Sequence, residues 1–435
     1  MPDMNSGFHV PANIADSRGD MRFHVLGLGP IGQLLAFHLR RSLSPRHDVS
    51  LVFKTGALAR RVRGHPLHIE YDGVVTSASG FQTESTSFNE GLESHGELQE
   101  SERILRSPVI SPGSGQANEN TAFGTRDPEE NRIESLFVAC KAYSTLEAIK
   151  SVRRRLSPAS TVVLLHNGNL ATHEQLLENV FSDANERPNF ILVSNTHGVW
   201  LKRAPFHTVH AGIGQLRFGI VPDGRRDFEK SLRSGKFHKG RPRLSLDDVA
   251  YSSNDPEVAR YRSLRNTVAV LQNLSGLQTK WDTFSDMQII LRQKLVVNCV
   301  INPLTAILGC QNGRIFDSDA GKRLAYRICK EASRVFRKEA IGNRDPGVEP
   351  SEVYIPPELS LNSLLHECER VATVTRGNTS SMLADLKKGR TTTEVEYLNG
   401  YLMTLGKRYN EIVPVNASLV DLLKMRAEIP LDTVL

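Results

Sequence analysis

The segment Arg22–Gly32, RFHVLGLGPIG, decides the fold of the first half of this 435-residue chain. RFHVL predicts a β-strand, and QLLAFHLRRSL, which follows the glycines, predicts a helix. In this strand–turn–helix context the pattern GxGxxG is typical of dinucleotide sites. The glycines would permit a tight turn, the approach of a pyrophosphate and close packing of the helix on the strand. An ordinary glycine-rich turn is the alternative. The residues of the predicted cofactor loop are Gly27, Leu28, Gly29, Pro30, Ile31 and Gly32.

The second predicted strand, VSLVF (Val49–Phe53), bears on the choice of dinucleotide. An NAD site usually has an acidic residue at the end of this strand, where it binds the ribose 2′-hydroxyl. Here Lys54 follows the strand, and its charge would attract a 2′-phosphate. NADPH (NADP+) is therefore predicted rather than NADH. Arg60 and Arg61 either add to that charge or lie on a solvated helix face.

Alternating strands and helices indicate a parallel sheet covered on both faces in the first domain. A hairpin-like pair, HTVHAG and QLRFGIV, is expected to close this domain near Val221. From Tyr261 onward the apolar spacing is almost wholly helical, with a turn predicted at Asn302–Pro303. The predicted fold is α/β, with an N-terminal Rossmann-type domain followed by an all-α domain. The alternating segments are SLFVACKAY (135–143), TLEAIKSVRRRL (145–156), TVVLLHNG (161–168), HEQLLENVF (173–181) and FILVSNTHGVW (190–200).

Three polar stretches set the expected domain bounds. Residues 1–20 are predicted to be a disordered tail, which leaves 21–221 for the Rossmann-type domain and 259–435 for the helical domain. Residues 79–135 hold 11 acidic and 4 basic residues with few large apolar ones, so a low-complexity insertion is predicted. Residues 222–258 form a second polar insertion. Its basic part, 225–243, fits a solvated loop better than a nucleic-acid site, because no RNA-binding signature accompanies it.

Composition limits the class of protein further. No apolar run approaches the ~18 residues that a membrane span needs, which argues against a membrane protein. The five cysteines are widely spaced without a CxxC or zinc pattern, so reduced thiols and no metal are expected. The N-terminal residues match neither a secretory signal nor an Arg-rich transit peptide. A cytoplasmic location is expected, a mitochondrial one stays open, and a homodimer stays open beside a monomer.

The segment LRQKLVVNCVINPLTAIL (Leu291–Leu308) predicts the catalytic centre. Lys294, Asn298 and Asn302 recur every four residues and therefore share one helix face. Their neighbours are apolar, and buried polar groups are costly unless they are bonded. Desolvation would lower the lysine pKa toward a range useful for proton transfer. The structural alternative is that the amides cap a kink at Pro303 and that the lysine reaches solvent.

With these motifs the chain resembles the ketopantoate reductase (2-dehydropantoate 2-reductase) family, as a eukaryotic-looking member with polar insertions. KLVVNCVINPLTAI (294–307) is similar to the signature helix of that family. The resemblance covers about 21–221 and 260–427 and implies a helical domain like that of 6-phosphogluconate dehydrogenase. The other matches, in the family's order, are GLGPIG (27–32), VACKAY (138–143), LLHNG (164–168), VHAGIGQLRFG (209–219), SSMLADLKKGR (380–390), TEVEYLNGY (393–401) and VPVNASLVDLLK (413–424).

The resemblance implies two catalytic residues. Lys294 matches the general acid, which would protonate the developing alkoxide as hydride reaches the keto carbon. Glu394 matches the acid that positions the lysine and the substrate. A surface carboxylate pair with Glu396 is the alternative for Glu394.

Further binding residues are implied by the same matches. Asn298 and Asn302 match amides that bind the substrate, and Ser381 matches a serine that helps hold its carboxylate. Lys141 and Asn167 match residues beside the nicotinamide and its ribose, where Asn167 would also contact the substrate. Each has a plainer alternative: Ser381 as a helix N-cap, Lys141 as a loop lysine, and Asn167 as part of a turn dipeptide.

Three positions depart from the family pattern. Asn169 replaces a glycine that often follows the NG pair, and Arg292 stands where a tryptophan often precedes the signature lysine. The stretch between Ser381 and Glu394 is one residue longer, at Thr391–Thr393. These differences leave room for a changed substrate.

The predicted function is NADPH-dependent reduction of ketopantoate to (R)-pantoate, which the resemblance places in pantothenate and coenzyme A synthesis. The enzyme would be an NADP-dependent oxidoreductase acting on CH–OH groups, with a small 2-oxo acid as its partner. The alternatives are a reductase of another branched 2-oxo acid and a non-catalytic NADPH-binding scaffold or sensor.

Overall fold

Strands occupy mostly the first part of the chain and helices the second. The computed structural model describes residues 21–86, 131–233, 237–238, 241–250 and 255–429. The predicted tail, 1–20, lies outside these residues, as does most of the acidic insertion. The strands are β1 (Arg22–Leu26), β2 (Asp48–Phe53), β3 (Leu67–Tyr71), β4 (Val74–Ala78), β5 (Gln82–Ser85), β6 (Ser135–Val138), β7 (Thr161–Leu164), β8 (Asn189–Asn195), β9 (Gly198–Arg203), β10 (His207–Gly212), β11 (Leu216–Ile220), β12 (Phe237–His238), β13 (Arg241–Pro242) and β14 (Lys280–Trp281).

The two longest helices of the described residues lie in the second part of the chain. The α-helices are α1 (Pro30–Ser42), α2 (Gly56–Arg61), α3 (Ala142–Val152), α4 (Asn169–Asn179), α5 (Lys230–Arg233), α6 (Leu246–Val249), α7 (Val258–Asn273), α8 (Phe284–Leu308), α9 (Asp319–Gly342), α10 (Leu361–Val374), α11 (Ser381–Lys387), α12 (Asn399–Arg408) and α13 (Pro414–Glu428). Short 3-10 helices lie at Arg153–Arg155, Ser275–Leu277, Asn312–Asp317, Pro357–Leu359 and Glu394–Tyr397.

Contacts divide the chain into two units. Unit 1 takes in the described residues of Met1–Cys140, Glu147–Leu165 and Val180–Trp281. Unit 2 takes in the described residues of Lys141–Leu146, His166–Asn179 and Asp282–Leu435. Two short segments that follow β6 and β7 in the chain therefore have their contacts mainly with the helical unit.

The main sheet of unit 1 has eight strands in the order β14-β11-β8-β7-β6-β1-β2-β5. All neighbouring pairs are parallel except β11 with β8. Val25 and Phe137 on one face, and Leu136 and Val138 on the other, are fully buried, as a sheet covered on both faces requires. The predicted α/β class is confirmed.

The hairpin predicted for HTVHAG and QLRFGIV is wrong. β10 pairs with β9 and β3 in a second sheet of order β4-β3-β10-β9, whereas β11 pairs with β8 in the main sheet. The chain crosses between the sheets at Gly214, where a Cβ would lie 2.6 Å from the His197 amide nitrogen. The local sequence resembles a hairpin because apolar and polar residues alternate in both strands. The two strands nevertheless pair with other strands and not with each other.

Both predicted insertions contain ordered parts. β5, inside the stretch expected to be low-complexity, adds to β2 as a parallel edge strand. In the second insertion Phe228 and Val249 are buried in the unit 1 core. There Arg226 also makes two hydrogen bonds to the Asp255 carboxylate, at 2.6 and 2.8 Å. The expectation of a solvated loop is therefore corrected at these residues.

α7 belongs to unit 1, although residues from 259 onward were predicted to belong to the helical domain. The Ser263 hydroxyl donates to the Glu134 carbonyl (2.7 Å), and the Thr267 hydroxyl shares a 2.7 Å hydrogen bond with Ser135. Tyr261, Leu264 and other apolar side chains of α7 are completely buried in the unit 1 core. A helical period alone does not show which core a helix joins, so the sequence could not assign it.

In unit 2, α8 packs against α9, α10, α11 and α13. The turn predicted at Asn302–Pro303 is wrong, because α8 continues to Leu308. Pro303 has no N–H for the Cys299 carbonyl, which lies one turn earlier. The side-chain amide of Asn399 donates to that carbonyl instead, at 3.1 Å. The freed acceptor is thus satisfied inside the core and the helix is not interrupted.

No helix in the described part of the chain combines the length and apolar character that a membrane span needs.

Candidate active site

Two glycines of the loop between β1 and α1 are required by close packing in unit 1. Gly27 has a φ of +94°, and a Cβ there would lie 2.5 Å from the Cys140 amide nitrogen. A Cβ on Gly32 would overlap the Gly27 carbonyl oxygen. Any larger residue at either position would push the loop away from the backbone after β6 or push α1 away from the loop.

Gly29 differs, because a Cβ at this position would meet no heavy atom within 4 Å. Gly29 is the N-cap residue of α1, where no side chain caps the helix and Pro30 is the first helical residue. The first N–H groups of a helix lack intrahelical partners and favour an anion. Open space beside them suits the pyrophosphate of a dinucleotide. The loop Gly27–Gly32 therefore fits such a cofactor.

The end of β2 carries a cation. Lys54 directly follows the strand and is exposed, and Thr55 caps α2 by accepting a hydrogen bond from Leu58 N–H (3.4 Å). Arg60 and Arg61 are also exposed, in the last turn of α2. This arrangement suits a phosphate better than a ribose hydroxyl.

Lys294, Asn298 and Asn302 lie together on α8 in unit 2. Asn302 is 6% exposed, and the other two are half-buried. Burial lowers the pKa of Lys294 to about 8, against the opposing charge of Glu394. The lysine is therefore mostly protonated at neutral pH and can release its proton readily, as a general acid should.

Glu394 is the carboxylate whose charge acts on Lys294. It is only 5% exposed, so the interpretation as a surface carboxylate pair is wrong. The Ala142 N–H donates to its Oε1 at 3.3 Å, and the Asn167 side chain also donates to it. Burial raises the pKa of Glu394, while the Lys141 cation and these two hydrogen bonds oppose the rise.

Lys141 is held by two carboxylates. Its Nζ lies 2.8 Å from Asp385 Oδ2 and 3.8 Å from Glu394 Oε2. Arg390 donates to the other oxygen of Asp385 at 2.7 Å. Burial lowers the pKa of Lys141, but Glu394 and Asp385 raise it more, so the net shift is upward. Lys141 is thus a fixed cation rather than an unremarkable loop lysine.

Asn167 belongs to a tight turn and also to this cluster. Gly168 has a φ of +72°, and a Cβ on it would lie 2.7 Å from the Cβ of Tyr397. Glycine is therefore needed for both the backbone conformation and the contact. The turn directs the Asn167 side chain to Glu394. Asn167 is therefore both part of a turn dipeptide and a member of this cluster.

Ser381 is the exposed first residue of α11, and the N-cap is the preceding residue, Ser380. The Ser380 hydroxyl accepts from Leu383 N–H (3.2 Å) and shares a 2.7 Å hydrogen bond with Thr305. The capping alternative therefore applies to Ser380 rather than Ser381. Ser381 keeps its role as substrate ligand only as a prediction.

The positions that depart from the family pattern have structural partners. Asn169 is buried and begins α4, and Thr393 caps the 3-10 helix that carries Glu394. The Arg292 guanidinium binds the Glu339 carboxylate, Nη2 to Oε1 at 2.8 Å and Nε to Oε2 at 3.1 Å. These residues therefore support the helices around the site.

Asp385 and Arg390 were not predicted to be site residues from the sequence. Both lie in SSMLADLKKGR, where they look like ordinary polar residues at a helix end. The burial of Asp385, at 5% exposure, is a tertiary effect that no local pattern shows. Within the described residues, no three His, Cys, Asp or Glu side chains are grouped as a metal site would need.

The glycine loop on an α/β unit and the lysine–carboxylate cluster on a helical unit define the class, a dinucleotide-binding oxidoreductase. Comparison with known proteins gives the particular family. Residues 23–223 match the family described as Ketopantoate reductase PanE/ApbA, and residues 286–427 match its C-terminal counterpart. The chain belongs to the ketopantoate reductase family and is an oxidoreductase acting on a CH–OH group.

Curated relatives agree with this assignment. The chain is 27% identical over 308 residues to the 2-dehydropantoate 2-reductase of Yersinia pestis, covering 71% of this chain and 79% of that protein. It is 26% identical over 321 residues to the enzyme of the same name from Saccharomyces cerevisiae, covering 68% and 74%.

Solved structures show the same fold. A D-mandelate dehydrogenase with NADH and anilino(oxo)acetate has a TM-score of 0.61 at 16% identity, over 94% of this chain and 98% of that chain. A 2-dehydropantoate 2-reductase from Methylococcus capsulatus has a TM-score of 0.57 at 16% identity, over 94% and 99%.

Proposed function

We propose that this protein reduces 2-dehydropantoate (ketopantoate) to (R)-pantoate with NADPH. The observation that carries the proposal is Lys294, whose pKa of about 8 suits proton donation at neutral pH. Lys294 lies on the same helix as the side-chain amides of Asn298 and Asn302. The charge of the buried Glu394 carboxylate raises the lysine pKa against the effect of desolvation. The named relatives act on the same 2-oxo acid.

NADPH, when bound, supplies the hydride that adds to C2 of the substrate. As the carbonyl π electrons move onto oxygen, the Lys294 ammonium gives its proton to that oxygen and becomes a neutral amine. Asn298 and Asn302 would bind substrate oxygens from the same helix face and fix the carbonyl next to the lysine. Ser381 would donate to the substrate carboxylate.

Glu394 would keep Lys294 charged before the reaction, because its carboxylate raises the lysine pKa against the effect of burial. Lys141 would remain protonated throughout and supply positive charge without giving up a proton. Asn167, bonded to Glu394, would hold that carboxylate and present its remaining polar atoms to the ligands.

NADPH is favoured over NADH by the charge after β2. Lys54 would pair with the 2′-phosphate, and a lysine gives such a phosphate a point charge. Replacing Lys54 by Ala should raise the KM for NADPH about tenfold and leave the KM for NADH unchanged. Equal effects on the KM values for both cofactors would show that Lys54 does not bind the 2′-phosphate.

A substrate panel tests the proposal. Purified protein is assayed for NADPH oxidation with ketopantoate and with other branched and aromatic 2-oxo acids, and the product is analysed for (R)-pantoate. Ketopantoate should have the highest kcat/KM. A higher value with another 2-oxo acid would identify a different reductase, and no turnover with any of them would favour the scaffold interpretation.

A further inference from the structure

The segment His166–Asn179, which carries Asn167, contacts the rest of unit 2 at two places. The first contact is near the start of this segment. The Asn167 side chain donates to the Glu394 carboxylate. Gly168 packs so closely on Tyr397 that a Cβ on the glycine would lie 2.9 Å from the tyrosine carbonyl oxygen. These contacts join the start of α4 to the 3-10 helix Glu394–Tyr397.

The second contact lies further along the chain, between α4 and α12. The Tyr401 hydroxyl, on α12, donates to Glu174 Oε1 at 2.6 Å, and Glu174 lies on α4. Arg408 donates to the other oxygen, Oε2, at 2.8 Å. Tyr401 is 6% exposed. Burial, and after it the Glu174 carboxylate, raises the pKa of Tyr401, so its hydroxyl keeps the proton that it donates.

The two contacts have matching spacing. Glu174 follows Asn167 by seven residues, and Tyr401 follows Glu394 by seven residues. Glu174 lies about 7.5 Å along the α4 axis from Asn169, on a helix that behaves as a rigid rod over this length. A helix fixed at Glu174 cannot tilt freely, so the Glu174–Tyr401 bond limits where Asn167 can lie.

We propose that Glu174 and Tyr401 are positioning residues of the active site, which hold α4 so that Asn167 stays bonded to Glu394. The kinetic consequence of this inference rests on the proposed reductase function, but its structural consequence does not. Arg408 contributes less, because its side chain is 40% exposed and exposed ion pairs stabilise little.

Replacement of Tyr401 by Phe tests the kinetic consequence. The hydroxyl is lost while the ring still fills its place, so kcat/KM for ketopantoate should fall about tenfold through loss of alignment. The Asn167 bond lowers the pKa of Glu394, so weakening this bond should raise that pKa. The acid limb of the pH profile of kcat/KM should therefore move to higher pH. Glu174→Gln keeps an acceptor for the tyrosine and should have a smaller effect.

Tyr261→Phe is the matched control. The Tyr261 hydroxyl donates to Asp223 Oδ2 at 2.5 Å in unit 1, so this variant loses the same kind of bond outside the active site. It should lower stability about as much as Tyr401→Phe does and leave the pH profile unchanged. If Tyr401→Phe loses stability but keeps the wild-type profile, the positioning role is contradicted.

Hydrogen–deuterium exchange tests the structural consequence without any substrate. The Thr172 N–H bonds the Gly168 carbonyl at 3.1 Å, in the turn that carries Asn167. Amides at 168–173 should exchange faster in Tyr401→Phe than in the wild type or in Tyr261→Phe. Unchanged exchange would overturn the inference. Faster exchange in a protein that reduces no 2-oxo acid would support the inference and contradict the proposed function.

Discussion

Lys141 and Lys294 act near the same carboxylate but have opposite pKa shifts. Lys141 has Glu394 and Asp385 beside it, and together they raise its pKa despite burial. At Lys294 the charge of Glu394 does not offset desolvation, and the pKa falls to about 8. Desolvation therefore dominates at Lys294, whereas the nearby carboxylates outweigh it at Lys141. For this reason Lys294, rather than Lys141, is the candidate acid.

The pH profile should report this arrangement. Because the proposed reaction requires protonated Lys294, kcat/KM for ketopantoate should fall as pH rises above about 8. In Glu394→Gln the carboxylate that raises the lysine pKa is gone, so the basic limb should move to lower pH and kcat/KM at pH 7 should drop about tenfold or more. Steady-state NADPH oxidation from pH 6 to 10 measures both.

Glu396→Gln provides the matched control for this prediction. Glu396 is two residues away and exposed, where it pairs with Lys424. Its replacement should leave the profile unchanged. A basic limb that stays in place in Glu394→Gln would contradict the electrostatic link between Glu394 and Lys294.

At the scale of elements, α8 shows how a proline is accommodated in the helix that carries Lys294. The Cys299 carbonyl, freed by Pro303, accepts from Asn399, whose amide also donates to Asn416 Oδ1 at 2.9 Å. Asn416 in turn donates to Glu331 at 2.7 Å. Asn399 and Asn416 are completely buried. This network ties α8, α9, α12 and α13 together below the site.

Asn399→Ala should therefore destabilise unit 2. It leaves a carbonyl and an amide oxygen without their donor in the core, which costs roughly 2–3 kcal/mol. Urea unfolding followed by circular dichroism measures the loss. Asn179→Ala removes an exposed side-chain bond to the Gln175 carbonyl (2.8 Å) and should change stability by less than about 0.5 kcal/mol. Equal losses in the two variants would contradict the role of Asn399.

The sequence predicted elements whose signals are local. The strand Arg22–Leu26 and the glycine loop followed from a pattern within eleven residues, and the face of α8 followed from its period. Other features depend on residues far apart in the chain. They are the placement of β10 and β11 in different sheets, the placement of α7 in unit 1 and the burial of Asp385. Pro303 was read as a turn because its compensating donor, Asn399, is nearly a hundred residues away.

At the scale of the molecule, unit 1 carries a group of histidines that should limit its acid stability, with His197 and His210 buried and His38 partly buried. Burial, and then the nearby His210 and His197, lower the pKa of His38 to about 4. His197 shares a 3.0 Å hydrogen bond with His210 and a 2.9 Å one with the Leu277 carbonyl. The folded protein keeps His38 neutral at a pH where an unfolded chain would protonate it.

Stability should therefore fall as pH decreases from about 6.5 to about 4, since the unfolded state binds a proton there that the folded state does not. For His38 alone the loss is roughly 3 kcal/mol across that range. Urea unfolding at pH 7, 6 and 5 should show a shallower pH dependence for His38→Gln than for the wild type. His65→Gln, at an exposed position, should match the wild type. Identical pH dependence in all three would contradict the assignment.

In the proposed reaction Lys294 gives its proton to the substrate carbonyl oxygen during reduction. The most direct test is the kcat/KM of Lys294→Ala for ketopantoate at pH 7, beside that of the wild type, with NADPH binding measured by fluorescence in both. We expect a loss of about a hundredfold or more in kcat/KM, with NADPH binding unchanged. A variant that keeps kcat/KM within a few fold of the wild type would contradict it.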